Sequence, residues 1–213
     1  MPTAEMFWSQ TAAYNQATLP VQIVLILAGA LVVTLIATGS SRANLVTKAF
    51  FVLAFAWNGI VFFLLFAKSP FSRFVGAPLF LLTAALFGVD IRTRLTDFRL
   101  PEPGWRRTAT ICLIALTLLY PLAGYALGRA YPSVILPVGP CPLTTFAIAL
   151  MTAAVPRTDR KAYTLLLVWA LLGLPKCLGA LDCREDCILF AAGLYGLGIL
   201  VTNWRAIACT GGR

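Results

Sequence analysis

The sequence predicts an all-α membrane protein, a polytopic bundle of about seven transmembrane helices in which prolines break the fifth span. Composition is the first observation, because 60% of the 213 residues are hydrophobic and 12% are charged, whereas a soluble domain has about 25% charged residues. The second is that the apolar residues form runs of about 20, the length that a helix needs to cross a bilayer. The third is that Lys and Arg are concentrated in alternate connections between these runs.

Seven apolar runs give the predicted spans, and together they make a transmembrane bundle over residues 19–206. The runs are 19–39, 46–67, 74–91, 109–128, 133–155, 163–181 and 187–206. Residues 1–18 are predicted to form an amphipathic helix on the outer surface, with Thr3 as its N-cap and Phe7 and Tyr14 on its apolar side. Residues 207–213 form the predicted cytoplasmic tail.

The charged residues predict the orientation of the bundle. The chain carries 17 Lys and Arg residues against 8 Asp and Glu, a net charge of +9. Most of the basic residues follow the first, third, fifth and seventh spans, which predicts an outside N-terminus and a cytoplasmic C-terminus in a bacterial inner membrane. The excess of basic residues is typical of segments that face anionic lipid, so no nucleic-acid partner is expected. The absence of histidine from the sequence excludes histidine-ligated metal or haem sites and a Ser–His–Asp triad.

The fifth span is unusual because prolines crowd the stretch from residue 120 to residue 142. They are Pro121, Pro132, Pro137, Pro140 and Pro142. A regular helix cannot run through residues 137–142, so residues 134–142 are predicted to enter the membrane as irregular backbone. Irregular backbone at that depth has to be buried in protein or line a wet cavity. The helix that starts near Pro142 would add free amide donors at its N-terminus.

A small-ligand or ion site is therefore predicted at the broken span. Its candidate ligand-binding residues are Tyr120, Tyr131, Gly139, Pro140, Cys141, Pro142, Thr144, Thr145 and Asn58. Two alternatives remain open. The broken span can be a purely structural re-entrant turn, and Asn58, in the middle of the second span, can serve a helix–helix hydrogen bond instead of a ligand.

Four of the six cysteines fall toward the predicted outer face, which is the oxidising side of a bacterial inner membrane. The disulfide candidates are Cys141, Cys177, Cys183 and Cys187. One or two disulfides would pin the loop 181–187, and four cysteines allow three full pairings. The alternative is a soft-metal relay, because thiolates select copper(I). Lys176 either reaches outward or pairs with Asp182 or Glu185, and Cys209 is expected in the cytoplasm.

Several motifs resemble a family of small bacterial multi-pass membrane proteins of unknown function. The resemblance is carried by Tyr14-Asn15 ahead of Pro20-Val21-Gln22, by Trp57-Asn58-Gly59, by Tyr120-Pro121 and by the block Gly139-Pro140-Cys141-Pro142-Leu143-Thr144-Thr145-Phe146. It implies a helical membrane fold, and it brings no catalytic role with it. The cysteine-rich stretch 177–187 is not part of the resemblance.

The sequence predicts transport or permeation of a small solute or ion through the broken fifth span. No acid–base or nucleophile constellation is present, so an enzyme is not expected. The alternatives are a non-catalytic subunit or assembly partner of a larger membrane complex, and a soft-metal transporter that uses the outer cysteines. The expected partners are the lipid bilayer and membrane-complex subunits, and the sequence identifies no cofactor, metal site or substrate.

Overall fold

The regular structure of the protein is helical throughout the part of the chain described by a computed structural model, residues 3–207. The helices are α1 (Ala4–Ala37), α2 (Ala43–Phe66), α3 (Ser72–Thr93), α4 (Trp105–Leu118), α5 (Tyr120–Ala126), α6 (Pro140–Ala154), α7 (Arg160–Leu171), α8 (Leu174–Cys177) and α9 (Cys187–Thr202). Two short 3₁₀ turns lie between α8 and α9. Of the predicted tail 207–213, all residues but the first lie outside the described residues, as does Cys209.

The helices run back and forth between two ends of a bundle. We call one the disulfide end, which comprises the start of α1 and the connections 67–71, 127–139 and 172–186. We call the other the arginine end, which comprises the connections 38–42, 94–104 and 155–159. Hydrogen bonds join segments at each end: the indole of Trp8 donates to the carbonyl of Leu181 over 2.9 Å, and Asp97 N donates to Arg157 O over 2.9 Å.

Fewer helices than the seven predicted are long and apolar enough to cross a membrane. Four qualify within residues 3–207, and α4 with α5 makes a fifth if the pair, bent by 59°, counts as one span. The remaining two predicted spans correspond to α6, with 15 residues, and α7, with 12. Proline explains both: α6 lies between Pro137 and Pro156, and α7 ends at Leu171 because Pro175 has no N–H to bond its carbonyl.

The first helix is one continuous element that runs through the predicted boundary at residue 18. Thr3 caps it as expected, since its Oγ1 accepts from Met6 N over 3.2 Å. A buried stripe with a spacing of three or four residues then runs along the helix through both predicted segments: Trp8, Thr11, Tyr14, Asn15, Thr18, Gln22 and Leu25. Because this stripe packs on the bundle, the helix passes through the exposed Pro20 without ending.

The centre of the bundle is α6. All of its 15 residues are buried, and it contacts α2, α4, α7 and α9. Aromatic rings fill the space beside it: Phe51 stacks on Phe87 with centroids 4.8 Å apart and meets Phe146 of α6 at 5.8 Å. Because α6 is enclosed by other helices, its position in the bundle is fixed. Its first turn and the irregular segment before it therefore lie at the disulfide end.

Helix α9 packs closely against α7 through glycine. A Cβ atom built on Gly193 would lie 2.8 Å from the Cβ of Ala170, whereas one built on Gly198 meets no atom within 4 Å. We expect Gly193→Val to lower the free energy of unfolding by about 1–3 kcal/mol through overpacking. Gly198→Val, the same change in the same helix, should leave it nearly unchanged. Thermal unfolding in detergent checks this, and equal melting temperatures for the two variants would contradict the packing.

Candidate functional site

The segment before α6 is irregular and buried, as the prolines predict. Residues 131–139 form turns and irregular backbone, and Val134 is fully buried. Side-chain amides from other helices satisfy its carbonyls. Asn15 Nδ2 donates to both Pro132 O and Val134 O at 2.7 Å, and Asn58 Nδ2 donates to Val138 O at 3.0 Å. The amide of Asn58 therefore bonds the irregular segment, whereas the predicted alternative is a hydrogen bond between two helices.

The N-terminus of α6 differs from the prediction. The helix begins at Pro140, so two of the prolines expected in irregular backbone occupy its first turn, where proline is tolerated. Neither Pro140 nor Pro142 has an N–H, and Leu143 N donates to Gly139 O over 2.9 Å. The first turn therefore offers a ligand only the N–H of Cys141, and the expected array of free amide donors is absent from these residues.

Several predicted ligand-binding residues do not reach a common site. The hydroxyl groups of Thr144 and Thr145 donate to carbonyls of their own helix, at 2.9 and 3.1 Å. Pro142 is buried beside them, and Tyr131 is 44% exposed. Buried hydroxyls on a helix bond the preceding turn when no other partner is near, and a single sequence does not show which partners the fold supplies.

A cavity of about 190 Å³ lies at the disulfide end, and three of the candidate residues, Gly139, Pro140 and Cys141, line it. It is bounded by α1, α2, the irregular segment, α7 and α8. Its apolar wall includes Phe7, Phe62, Phe63, Phe71, Leu136 and Trp169, and its polar wall includes Gln10, Thr11, Asn15, Gln22, Lys176 and Asp186. The irregular segment before α6 therefore borders a space that can hold a small molecule.

The polar wall is organised around the carboxylate of Asp186, which is fully buried. Its Oδ2 lies 3.1 Å from Lys176 Nζ and accepts from the thiol of Cys141 over 3.2 Å. Its Oδ1 accepts from the hydroxyl of Tyr120 over 2.5 Å. Two hydrogen-bond donors and one opposite charge offset the cost of burying this carboxylate. The partner of Lys176 is thus Asp186, not Asp182 or Glu185, and Tyr120 reaches this cluster without lining the cavity.

One disulfide is present, between Cys177 and Cys187. Cys141 and Cys183 are buried free thiols. Burial raises the pKa of the Cys183 thiol well above its ordinary value, and the neighbouring Asp186 carboxylate raises it further, so this thiol stays protonated. Within residues 3–207, no group of three or more Cys, Asp or Glu residues is arranged to hold a metal ion.

The disulfide also holds the ion pair together, because each half-cystine is the next residue after one partner: Cys177 after Lys176, and Cys187 after Asp186. We expect the double change Cys177→Ala/Cys187→Ala to lower the free energy of unfolding by roughly 3 kcal/mol, the stabilisation of a loop of this length. Reduction of the wild type should do the same in a thermal unfolding measurement. Cys112→Ala, at an exposed free thiol, is the control, and a melting temperature insensitive to reductant would contradict the role of the bridge.

A second charged cluster covers the outer side of the loop 181–187. Arg129 pairs with Asp182 at 2.7 Å and with Glu185 at 3.7 Å, and its guanidinium stacks over the ring of Trp8 at 3.5 Å. Sequence reasoning gave Arg129 no role in the site. The contacts tie the start of α1 to the turns after α8.

Sequence reasoning also missed the polar residues of α1 that face the irregular segment. Asn15 and Gln22 are buried, and Gln22 Nε2 donates to Asn15 Oδ1 over 3.2 Å. A signal was available in the helical spacing of Thr11, Asn15, Thr18 and Gln22, which places these polar side chains on one face of an otherwise apolar helix.

These observations define a class: a helical protein with four or five apolar helices of membrane-crossing length. An irregular segment before its central helix, α6, borders a small cavity. The chain belongs to a family of unknown function, DUF6064, whose model matches residues 4–209. The expected resemblance to a family of unknown function is thereby confirmed. Neither the curated proteins nor the solved structures include a detectable match to the chain.

Proposed function

We propose that the protein is an integral membrane protein that takes a small solute into the cavity at the disulfide end, as the first step of its permeation across the bilayer. Its outer surface supports a membrane location. Large apolar side chains point away from the bundle on several helices, among them Val24, Leu27, Leu53, Leu65 and Val201, each more than 60% exposed. Lipid accommodates such a surface, whereas contiguous apolar patches of this extent are rare on soluble monomers.

The proposed orientation puts the arginine end in the cytoplasm of a bacterial inner membrane. Ten of the 17 Lys and Arg residues lie in the connections of that end or within six residues of them, which agrees with the positive-inside rule. A disulfide at the other end agrees with an oxidising outer compartment. In this multi-pass arrangement α6 and α7 complete their passes with the connections 127–139 and 172–186, and the N-terminus lies outside.

The cavity is the observation that carries the proposal. Irregular backbone inside a membrane is tolerated where it lines a cavity, and interrupted helices are a common way to build solute sites. An apolar cavity of roughly 150 Å³ is large enough to bind benzene, so about 190 Å³ suffices for a small solute. The disulfide leaves only two of the four outer cysteines as thiols, so the geometry supports a small organic solute better than a soft metal.

Uptake into proteoliposomes tests this proposal. A panel of labelled small solutes is offered to vesicles with wild-type protein, with Leu136→Trp and with Leu178→Trp. Leu136 lines the cavity, so tryptophan there fills it, whereas Leu178 is 78% exposed and serves as the matched control. We expect at least one solute to enter faster than into protein-free vesicles, and Leu136→Trp alone to abolish the difference. Equal uptake by both variants, or no uptake above the protein-free rate for any solute, overturns the proposal and favours a non-catalytic subunit of a larger complex.

A further inference from the structure

One wall of the cavity carries a buried hydrogen-bond acceptor that no described protein group satisfies. Gln22 of α1 lines the cavity and is 0% exposed. Its Nε2 donates to Asn15 Oδ1 and to Thr18 Oγ1, at 3.2 and 3.0 Å. Its Oε1 is buried, and no group within residues 3–207 donates to it. A buried acceptor of this kind is destabilising unless a partner donates to it.

The orientation of the Gln22 amide follows from the groups around it. The carbonyls of Pro132 and Val134 can only accept, so Asn15 has to turn its nitrogen toward them. The side-chain oxygen of Asn15 then faces Gln22, so Gln22 has to donate to it from Nε2. This chain of donors and acceptors starts in the irregular segment and leaves Oε1 of Gln22, a residue that lines the cavity, without a donor among the described residues.

The rest of the lining limits the charge of a ligand. Lys176 and Asp186 are paired with each other, and both oxygens of that carboxylate already accept hydrogen bonds. An ionised ligand would therefore enter a mainly apolar cavity without a free counter-charge, which is costly. The aromatic rings of Phe62 and Phe63 favour an apolar, ring-sized body. The indole N–H of Trp169, which is buried without a partner in the described part of the chain, is available to the oxygen of such a ligand.

We propose that the cavity takes a neutral, largely apolar molecule of about the size of one aromatic ring that carries a hydroxyl or N–H group, with that group donating to Gln22 Oε1. Phenols and indoles have this chemistry. The inference rests on the proposed function, because it names the class of solute for the same cavity. It makes Gln22 the residue that distinguishes a donor-bearing solute from its hydrocarbon analogue.

Binding of three matched fluorinated probes tests the inference separately from transport. Fluorine NMR titrations of the protein in nanodiscs use para-fluorophenol, which has the O–H donor, para-fluoroanisole, which keeps the oxygen without the donor, and fluorobenzene. Cavity binding is defined as the saturable part that Leu136→Trp removes. We expect wild-type protein to bind the phenol about tenfold more tightly than either other probe, a factor that corresponds to about 1.4 kcal/mol.

Gln22→Met keeps the length of the side chain and removes the acceptor, so it should bring the phenol's affinity down to that of fluorobenzene. Gln16→Met, at an exposed position of the same helix, should keep the preference. Equal binding of phenol and anisole by the wild type overturns the inference even if Gln22→Met fails to fold. A phenol preference that survives Gln22→Met also overturns the inference, because the partner of Gln22 Oε1 would then be a bound water and not the phenol. Saturable binding of fluorobenzene alone refutes the donor requirement while leaving the proposed cavity function standing.

Discussion

Replacing Asp186 with asparagine is expected to lower the free energy of unfolding by about 3–5 kcal/mol, because removal of one partner leaves the other charge of a buried pair uncompensated. Asp186 is fully buried, and its carboxylate meets Lys176, Cys141 and Tyr120 at once. Asparagine keeps the shape but offers a single acceptor oxygen to these three groups. Denaturant unfolding in detergent, followed by circular dichroism, measures the loss.

Two further variants separate the ion pair from general damage to the loop. Asp182→Asn changes a carboxylate that is 74% exposed in the same loop, and surface pairs contribute at most about 1 kcal/mol. Adding Lys176→Met to Asp186→Asn removes the stranded charge and should restore part of the stability. If Asp186→Asn and Asp182→Asn cost the same, the buried cluster does not stabilise the disulfide end as described.

The second large effect is expected for Asn15→Leu. The amide of Asn15 donates to two buried carbonyls of the irregular segment and accepts from Gln22. Each group left unsatisfied costs about 1–3 kcal/mol, so we expect a loss of about 3 kcal/mol or more in the same unfolding measurement.

The matched control for this change is Gln16→Leu, at the next position of α1, where the side chain is exposed. It should leave the stability nearly unchanged, because an exposed apolar side chain suits an apolar surface. We also expect Asn15→Leu to weaken probe binding at the cavity, since Gln22 loses the partner that orients it. A stability equal to that of Gln16→Leu would mean that the amide does not hold the irregular segment.

The sequence predicts features whose causes are local. Apolar runs predict helices because a helix that crosses a bilayer needs about 20 apolar residues, although two of the seven runs form helices of only 15 and 12 residues. Prolines identify the irregular segment before α6, since each removes a donor and restricts the residue before it. The same local reasoning misplaced the start of α6, because proline in the first turn of a helix is tolerated.

Partner choice is what the sequence leaves open. Asp182, Glu185 and Asp186 lie within five residues, and only the turns between α8 and α9 decide which of them meets Lys176. The pairing of Cys177 with Cys187 is one of several that four cysteines allow. Both outcomes depend on tertiary contacts, which a pattern of residue types along the chain does not encode.

The extent of α1 shows the same limit. Residues 4–18 have the composition of a surface helix, yet they continue into the first apolar run as one helix. Asn15 is buried because the segment before α6 supplies carbonyl partners for its amide, whereas the buried hydroxyl of Thr11 donates to Phe7 O of its own helix. Amphipathic patterning alone does not distinguish a helix that faces a lipid surface from one that faces a polar protein cavity.

The central claim is that a proline-rich segment without helical structure is held inside the protein, where it borders a cavity. Cysteine accessibility along residues 131–139 in proteoliposomes tests it most directly, on a background without the native free cysteines. We expect a membrane-impermeant maleimide to label Tyr131→Cys rapidly and Val134→Cys and Val138→Cys at least tenfold more slowly, because these valines are buried. Labelling of all three positions at the same fast rate would place the segment in solvent and contradict the account.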